Sequence, residues 1–373
     1  MTLALFDCSL PEAMTQQLDP IWRSGRLAAG ASIAELEQRL SGYLGGRPVV
    51  ALSDMTQTLA LALRLSGVGP GDEVVTLALN CMSSNTAIAM VGATPTWVDV
   101  DPNTGSVDLA DLAACIGLRT RAVVIYHLAG YVGDLDRVRA LCDAAGVPLI
   151  EDANNALGAR WHDRRIGTIG DYAVFSFYAN RQLNGIEGAA LVCPDEGSAE
   201  NARKQRRFGI DTARFRTPDG EIDPGLDVAQ IGIAASLTNV NAALACLAMD
   251  DLEERLDRNR SHVAQLRGML SDLPGLRFVD ECAGTRGVFW VALVRSERRD
   301  ALMAALKDRG IPCSKLHHRN DRYSGFDAEA RDLPGTDLLE REMLALPSGW
   351  WLAVDDLERI ATAVRSAAKA MGE

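Results

Sequence analysis

From about residue 50 to 193, short apolar runs rich in β-branched residues alternate with stretches of helical periodicity. "EVVTLAL", "TPTWVDV", "RAVVIYHL", "VPLIED", "YAVFSF" and "AALVC" read as strands. Between them "TLALALRLSG", "SSNTAIAMV" and "LDRVRALCDAAG" repeat apolar positions every three to four residues, and several end at glycine. Strands and helices in alternation imply a mostly parallel sheet covered by helices, with ligands at the carboxyl ends of its strands. From about 226 to 272 the pattern turns helical, most clearly in "AALACLAMDDLEERLDRNRSHVAQLRGML". "LRFVD" and "GVFWVALV" then read as strands, followed by helix "RDALMAALKDRG" and a terminal helix from about 354. The expected division is a large α/β domain over residues 1–250 and a smaller C-terminal α+β domain over 251–373.

Composition narrows the function classes. A net charge of -12 argues against a nucleic-acid binder, whose phosphate contacts need an excess of Lys and Arg. No apolar run is long enough to span a bilayer, and the N-terminus lacks a secretion-signal pattern, so a cytoplasmic location with no membrane partner is expected. The eight cysteines include no C-x-x-C pair, which gives no sign of a zinc or redox motif. Lysine occurs only at 204, 307, 315 and 369, so the first 203 residues contain none.

Six stretches then line up in order with one family. "SGRLAAGASIAELEQRL", "GVGPGDEVVT", "VGATPTWVDVDPNTGSVD", "PLIEDANNALGA", "FSFYANRQLNGIEGAALV" and "MLALPSGWWL" resemble the DegT/StrS sugar aminotransferases, fold type I pyridoxal-phosphate enzymes acting mostly on keto-sugars. The resemblance runs from about residue 20 to 370 and implies a dimer, with a small-molecule substrate such as a keto-sugar.

It also assigns positions in the site. Asp152 falls where the family pairs a carboxylate with the cofactor's pyridine nitrogen, which keeps the ring an electron sink. Asn154 and Asn155 take places beside the ring where relatives carry Ala and then His or Gln. Ser176 matches a phosphate-binding serine, and Cys81 lies where relatives stack a residue on the ring. The family's phosphate-binding Ser-Gly-Thr at a helix N-terminus becomes Asp54-Met55-Thr56, which loses the glycine and adds a negative charge. A family asparagine that reaches the partner's cofactor phosphate falls on Ala234, with Asn239 and Asn241 close by. Ile186 replaces the first glycine of the closing Gly-Glu-Gly, and Glu187-Gly188 match the rest. His317, His318 and Arg319 occupy a region that helps form the substrate side in relatives, and they read equally well as solvated loop residues. Two adjacent histidines with no third ligand at suitable spacing are not a metal site.

The decisive departure is Arg181, which stands where the family's Schiff-base lysine stands. A Schiff base needs a neutral primary amine, and a guanidinium stays charged and is a poor nucleophile. Lys204 is badly placed to substitute. Three expectations follow: an ordinary transaminase with its lysine supplied elsewhere; a lysine-less protein; or a non-catalytic subunit that pairs with an active paralogue. In the lysine-less case pyridoxal or pyridoxamine phosphate binds non-covalently or not at all, or Arg181 pairs with a substrate carboxylate or phosphate. The preferred reading is a divergent member of amino-sugar or specialised-metabolite biosynthesis, homodimeric or heterodimeric, that does not transaminate alone.

Overall fold

A computed structural model describes residues 3–8 and 14–371. Helices α1 (Met14–Ser24) and α2 (Ala31–Tyr43) lead to β1 (Val49–Leu52), α3 (Met55–Leu65), β2 (Glu73–Leu77), α4 (Met82–Met90) and β3 (Thr94–Val98). Then come α5 (Leu109–Cys115), β4 (Thr120–Tyr126), α6 (Leu135–Ala145), β5 (Leu149–Asp152), the short β6 (Arg160–Trp161) and β7 (Arg164–Arg165), β8 (Tyr172–Ser176) and β9 (Ala189–Val192). The chain continues through α7 (Glu196–Gln205), α8 (Asn239–Ala248), α9 (Leu252–Leu270), β10 (Arg277–Phe278), β11 (Thr285–Arg286) and β12 (Ala292–Arg295). It closes with α10 (Arg299–Asp308), α11 (Pro334–Glu342), β13 (Met343–Leu346) and α12 (Val354–Ala370).

The main sheet has the order β1-β9-β8-β5-β4-β2-β3. Its strands from β3 to β8 pair in parallel, while β9 runs antiparallel to both β8 and β1. Strands β1, β5, β8 and β9 are buried at every position, as expected of a sheet covered on both faces. One consequence matters for function. The carboxyl ends of β1, β2, β4, β5 and β8 share one edge, so the residues just after Leu52, Leu77, Tyr126, Asp152 and Ser176 converge there.

Helix α3 begins sharply because the Asp54 side chain caps it, accepting the Gln57 N–H at 2.8 Å. Its apolar residues are buried almost all round, against β8, β9 and β1. A second, antiparallel sheet β10-β12-β13 is covered by α10 and α12, and α9 joins it to the main sheet.

The helical pattern expected from residue 226 starts only at Asn239. Residues 206–238 are irregular, and over 233–236 the backbone pairs with 205–208 and with Leu52, so its N–H and C=O groups are not free for a helix. The strands read in "LRFVD" and "GVFWVALV" shrink to 277–278 and 292–295, the second because Phe289 takes a positive φ of 44 shortly before it.

Candidate functional site

Asp152, the last residue of β5, is fully buried at the converging edge. Its Oδ2 accepts from Asn80 Nδ2 at 3.3 Å, and its Oδ1 accepts from Asn154 Nδ2 at 2.9 Å. Asn80 lies between β2 and α4, and its backbone carbonyl accepts from Asn320 Nδ2 at 2.9 Å. Asn320 also donates its N–H to Ala78 O at 2.9 Å, so the loop after residue 316 is stitched directly to the main sheet.

Tyr126 ends β4 beside Asp152. Its hydroxyl accepts from Asn155 Nδ2 at 3.1 Å and lies 3.0 Å from His317 Nε2. Burial pushes the Tyr126 hydroxyl's pKa upward, and the charge of Asp152 adds to the shift. Burial, with the Arg181 charge behind it, pushes His317 down to about 4. At neutral pH the pair is therefore an un-ionised phenol sharing a hydrogen bond with an imidazole that carries no charge.

The loop after β8 brings Arg181 into this group. Ser176 Oγ accepts the Tyr178 N–H at 3.2 Å, and Gly185 N–H returns to Phe177 O at 2.8 Å. Gly188, at φ 134, closes the loop against Leu237, whose Cδ1 would lie 2.7 Å from any Cβ there. Ile186 holds φ 67, a left-handed conformation that a β-branched side chain tolerates badly.

The Arg181 guanidinium lies over the Trp290 indole at 4.5 Å, and its Nη1 donates to Asn180 Oδ1 at 2.8 Å. Its Nε is buried without a partner. Burial lowers its pKa, opposed by the nearby Tyr126, Cys81 and Asp152, yet a guanidinium keeps its proton. Arg255 of α9 holds the loop from behind, donating from Nη2 to Gln182 O at 3.0 Å, while Gln182 Nε2 donates to Asn155 O at 2.6 Å.

At the α3 end the Asp54 carboxylate takes one of the free N–H groups of the helix N-terminus. Met55 is buried next to it, and Thr56 follows in the first turn. Burial and the charge of Asp54 both push the Glu187 carboxyl's pKa upward, which places two carboxylates near each other at this end.

The remaining sequence-predicted residues scatter. His318 Nδ1 lies 2.8 Å from Glu340 Oε1, and buried Arg319 pairs with Asp321 and Asp337. Cys81 caps α4, with Ser83 Oγ 3.0 Å from its Sγ. Ala234 bridges to Arg207 in the irregular segment. Asn239 is committed to Arg26 O and the Ser32 N–H, and Asn241 Nδ2 to Glu187 O. Lys204 faces Asp211 at 3.7 Å, and Lys315, two residues before His317, faces Asp300 on α10 at 2.8 Å. Lys307 and Lys369 are on α10 and α12. Sequence reasoning overlooked Asn80, Tyr126 and Trp290. The first two were accessible in principle, as polar residues at or just after the ends of predicted strands.

A model of the DegT/DnrJ/EryC1/StrS aminotransferase family matches residues 9–365. The chain belongs to this family. Among its relatives is the spore coat polysaccharide biosynthesis protein SpsC of Bacillus subtilis, 29% identical over 365 residues, 95% of this chain and 94% of SpsC. The sugar aminotransferase CalS13 from Micromonospora echinospora superposes with a TM-score of 0.92 at 32% identity, covering 97% of this chain and 99% of CalS13. DesV of S. venezuelae, solved in complex with a ketimine intermediate, superposes with a TM-score of 0.88 at 30% identity, over 95% and 94% of the two chains. The fold is therefore that of the fold type I aminotransferases of the DegT/DnrJ/EryC1/StrS family.

Proposed function

We propose that this DegT/DnrJ/EryC1/StrS protein serves sugar or specialised-metabolite biosynthesis without carrying out lysine-dependent transamination by itself. What supports the reading is Arg181, which the motif resemblance aligns with the family lysine: it is a cation without a neutral amine, in the company of Asp152, Tyr126 and His317. The fit to pyridoxal phosphate is uneven. Asp152, buried and held by two amide donors, suits a protonated ring nitrogen. Arg181 offers the aldehyde nothing to condense with. Where a phosphate would sit, Asp54 already fills part of the α3 N-terminus, Met55 brings a side chain, and Glu187 adds a second carboxylate. This set does not fit a covalently held pyridoxal phosphate, and a non-covalent pyridoxamine phosphate meets the same two carboxylates.

The sugar connection rests on the likeness to CalS13, a sugar aminotransferase, and to SpsC, a spore coat polysaccharide biosynthesis protein. A second reading, a subunit supporting an active paralogue, draws on the irregular stretch after α7, which exposes Phe208, Ile222 and Ile231. In either case the purified chain, given glutamate or glutamine and a panel of keto-sugars, gives no sustained amino transfer. Turnover by the pure chain that is abolished in Asp152→Ala would overturn the proposal.

A further inference from the structure

A third, small sheet holds a ladder of like charges. Its order is β11-β6-β7, and its register sets Arg286 of β11 opposite Arg160 of β6, and Arg160 opposite Arg165 of β7. Residues directly opposite share one face of a sheet, and like charges there are destabilising. Each outer arginine is met by a carboxylate of α9, Arg286 by Asp257 at 2.7 Å and Arg165 by Glu253 at 2.9 Å. Arg160, between them, has no carboxylate partner among the described residues. Its Nη1 donates to a backbone carbonyl, Asp163 O, at 3.1 Å.

Two members of this ladder line a groove of about 570 Å³, together with Arg47 and Arg164. Asp163 is the one carboxylate in the lining, and Arg164 pairs outside it with Asp136. Arg47 is firmly held, with Nε donating to Cys193 O at 3.0 Å and Nη2 to Gly170 O at 3.2 Å and Asp171 O at 2.9 Å. Its Nη1 has no protein acceptor among the described residues, and no carboxylate pairs with the group. Arg165 is fixed as well, its guanidinium 3.7 Å from the centre of the Tyr43 ring. Four guanidiniums set against Asp136, Asp163 and Glu253 leave a local excess of positive charge in a chain whose net charge is -12. The groove lies apart from the candidate site. Arg47 precedes β1, and Gly170 and Asp171 precede β8, so it sits by the amino ends of strands whose carboxyl ends form that site.

We infer that this groove binds the phosphate group of a small phosphate ester. The inference is independent of the function proposed above. Cross-strand neighbours stand about 5 Å apart, so Arg160 and Arg165 can both reach one anion, and Arg47 approaches it from a different element. One guanidinium fork saturates a planar carboxylate, whereas a phosphate dianion accepts at three oxygens and balances more than one positive charge. The donors of Arg47 and Arg165 are already fixed, so little side-chain freedom is lost on binding. The rest of the ester has room along the wall at Gly42 and Gly45, where a Cβ would meet nothing within 4 Å. A long polyanion such as a nucleic acid is opposed by the net charge of the whole chain.

Calorimetric titration of the full chain with glycerol 3-phosphate, inorganic phosphate and D-glycerate, at one fixed ionic strength, tests this. Glycerol 3-phosphate is expected to bind at a single site, at least roughly 10-fold tighter than glycerate. Arg160→Gln weakens it roughly 10-fold, since a charged donor is lost. Asp163→Asn tightens it by roughly 2- to 5-fold, the effect of removing one exposed carboxylate. Arg277→Gln, which removes the same charge from the exposed start of β10, leaves it unchanged. Circular dichroism melts confirm that each variant is folded, and added glycerol 3-phosphate raises the melting temperature of the wild type more than that of R160Q. Inorganic phosphate binding tighter than the ester would overturn the assignment to an ester. The site itself is overturned if glycerate binds as tightly as glycerol 3-phosphate, if no binding saturates, or if folded R160Q keeps the wild-type affinity. It is equally overturned if R277Q loses as much as R160Q, because the attraction would then belong to the whole chain.

Discussion

Replacing Arg255 by methionine tests how firmly the Arg181 loop is built. Arg255 is buried in α9, its guanidinium 5.4 Å from the Trp350 ring, and burial lowers its pKa to about 10. Nη2 donates to Gln182 O at 3.0 Å and to Ala248 O at 2.6 Å, and Nη1 pairs with Asp251. Methionine fills most of the space of the stem but donates nothing. Each buried carbonyl left without its donor costs about 1–3 kcal/mol. The Asp251 pair contributes below about 1 kcal/mol, because that carboxylate is half exposed. Part of the loss is offset because a buried guanidinium no longer has to be desolvated, so the net destabilisation is about 2–4 kcal/mol. Lysine keeps the charge but reaches fewer acceptors, and should lose roughly half as much. Urea unfolding followed by tryptophan fluorescence reads this as a lower midpoint at unchanged slope. A loss below about 1 kcal/mol for Arg255→Met would refute the reasoning, since that is what an ordinary surface change costs at most.

Other outcomes follow from the same geometry. Arg181→Lys alone should bind pyridoxal phosphate poorly, and adding Asp54→Ser with Met55→Gly should tighten it by roughly 10-fold or more, read by absorbance titration, because a carboxylate and a Cβ leave the α3 N-terminus. His317 has a folded pKa of about 4, below its unfolded value near 6.5, so the unfolded chain binds the extra proton between those values. Stability should therefore fall as pH drops from about 6.5 toward 4, by roughly 3 kcal/mol, and His317→Gln should flatten that part of the profile in denaturation at stepped pH. Ile186→Gly should raise stability by roughly 0.5–1 kcal/mol, since relief of the left-handed strain exceeds the entropy glycine adds to the unfolded chain, and a thermal melt reads it.

Much of the architecture was legible because hydrophobic period carries it. The runs ending at Tyr126, Asp152 and Ser176 are strands, and their carboxyl ends meet at one edge. Arg181 stood out equally, as one unexpected residue inside a stretch that otherwise resembles the family. What the sequence concealed is pairing across distance. Nothing local announces that Asn320 holds Asn80, or that Trp290 underlies Arg181, since these partners come from chain segments far apart. The pairing also sorted three adjacent residues that read alike. His317 turns in to Tyr126, while His318 and Arg319 turn to Glu340, Asp321 and Asp337. The irregular stretch before Asn239 was masked by an apolar composition that suits a helix, although its backbone pairs with 205–208, a partner segment that no local pattern announces.

The most direct test is borohydride reduction of the purified chain in the presence of pyridoxal phosphate, followed by peptide mapping. The account predicts no covalent adduct at any of Lys204, Lys307, Lys315 or Lys369, and cofactor that dialyses away or never binds. A stoichiometric adduct on one of those lysines would contradict it and restore an ordinary aminotransferase.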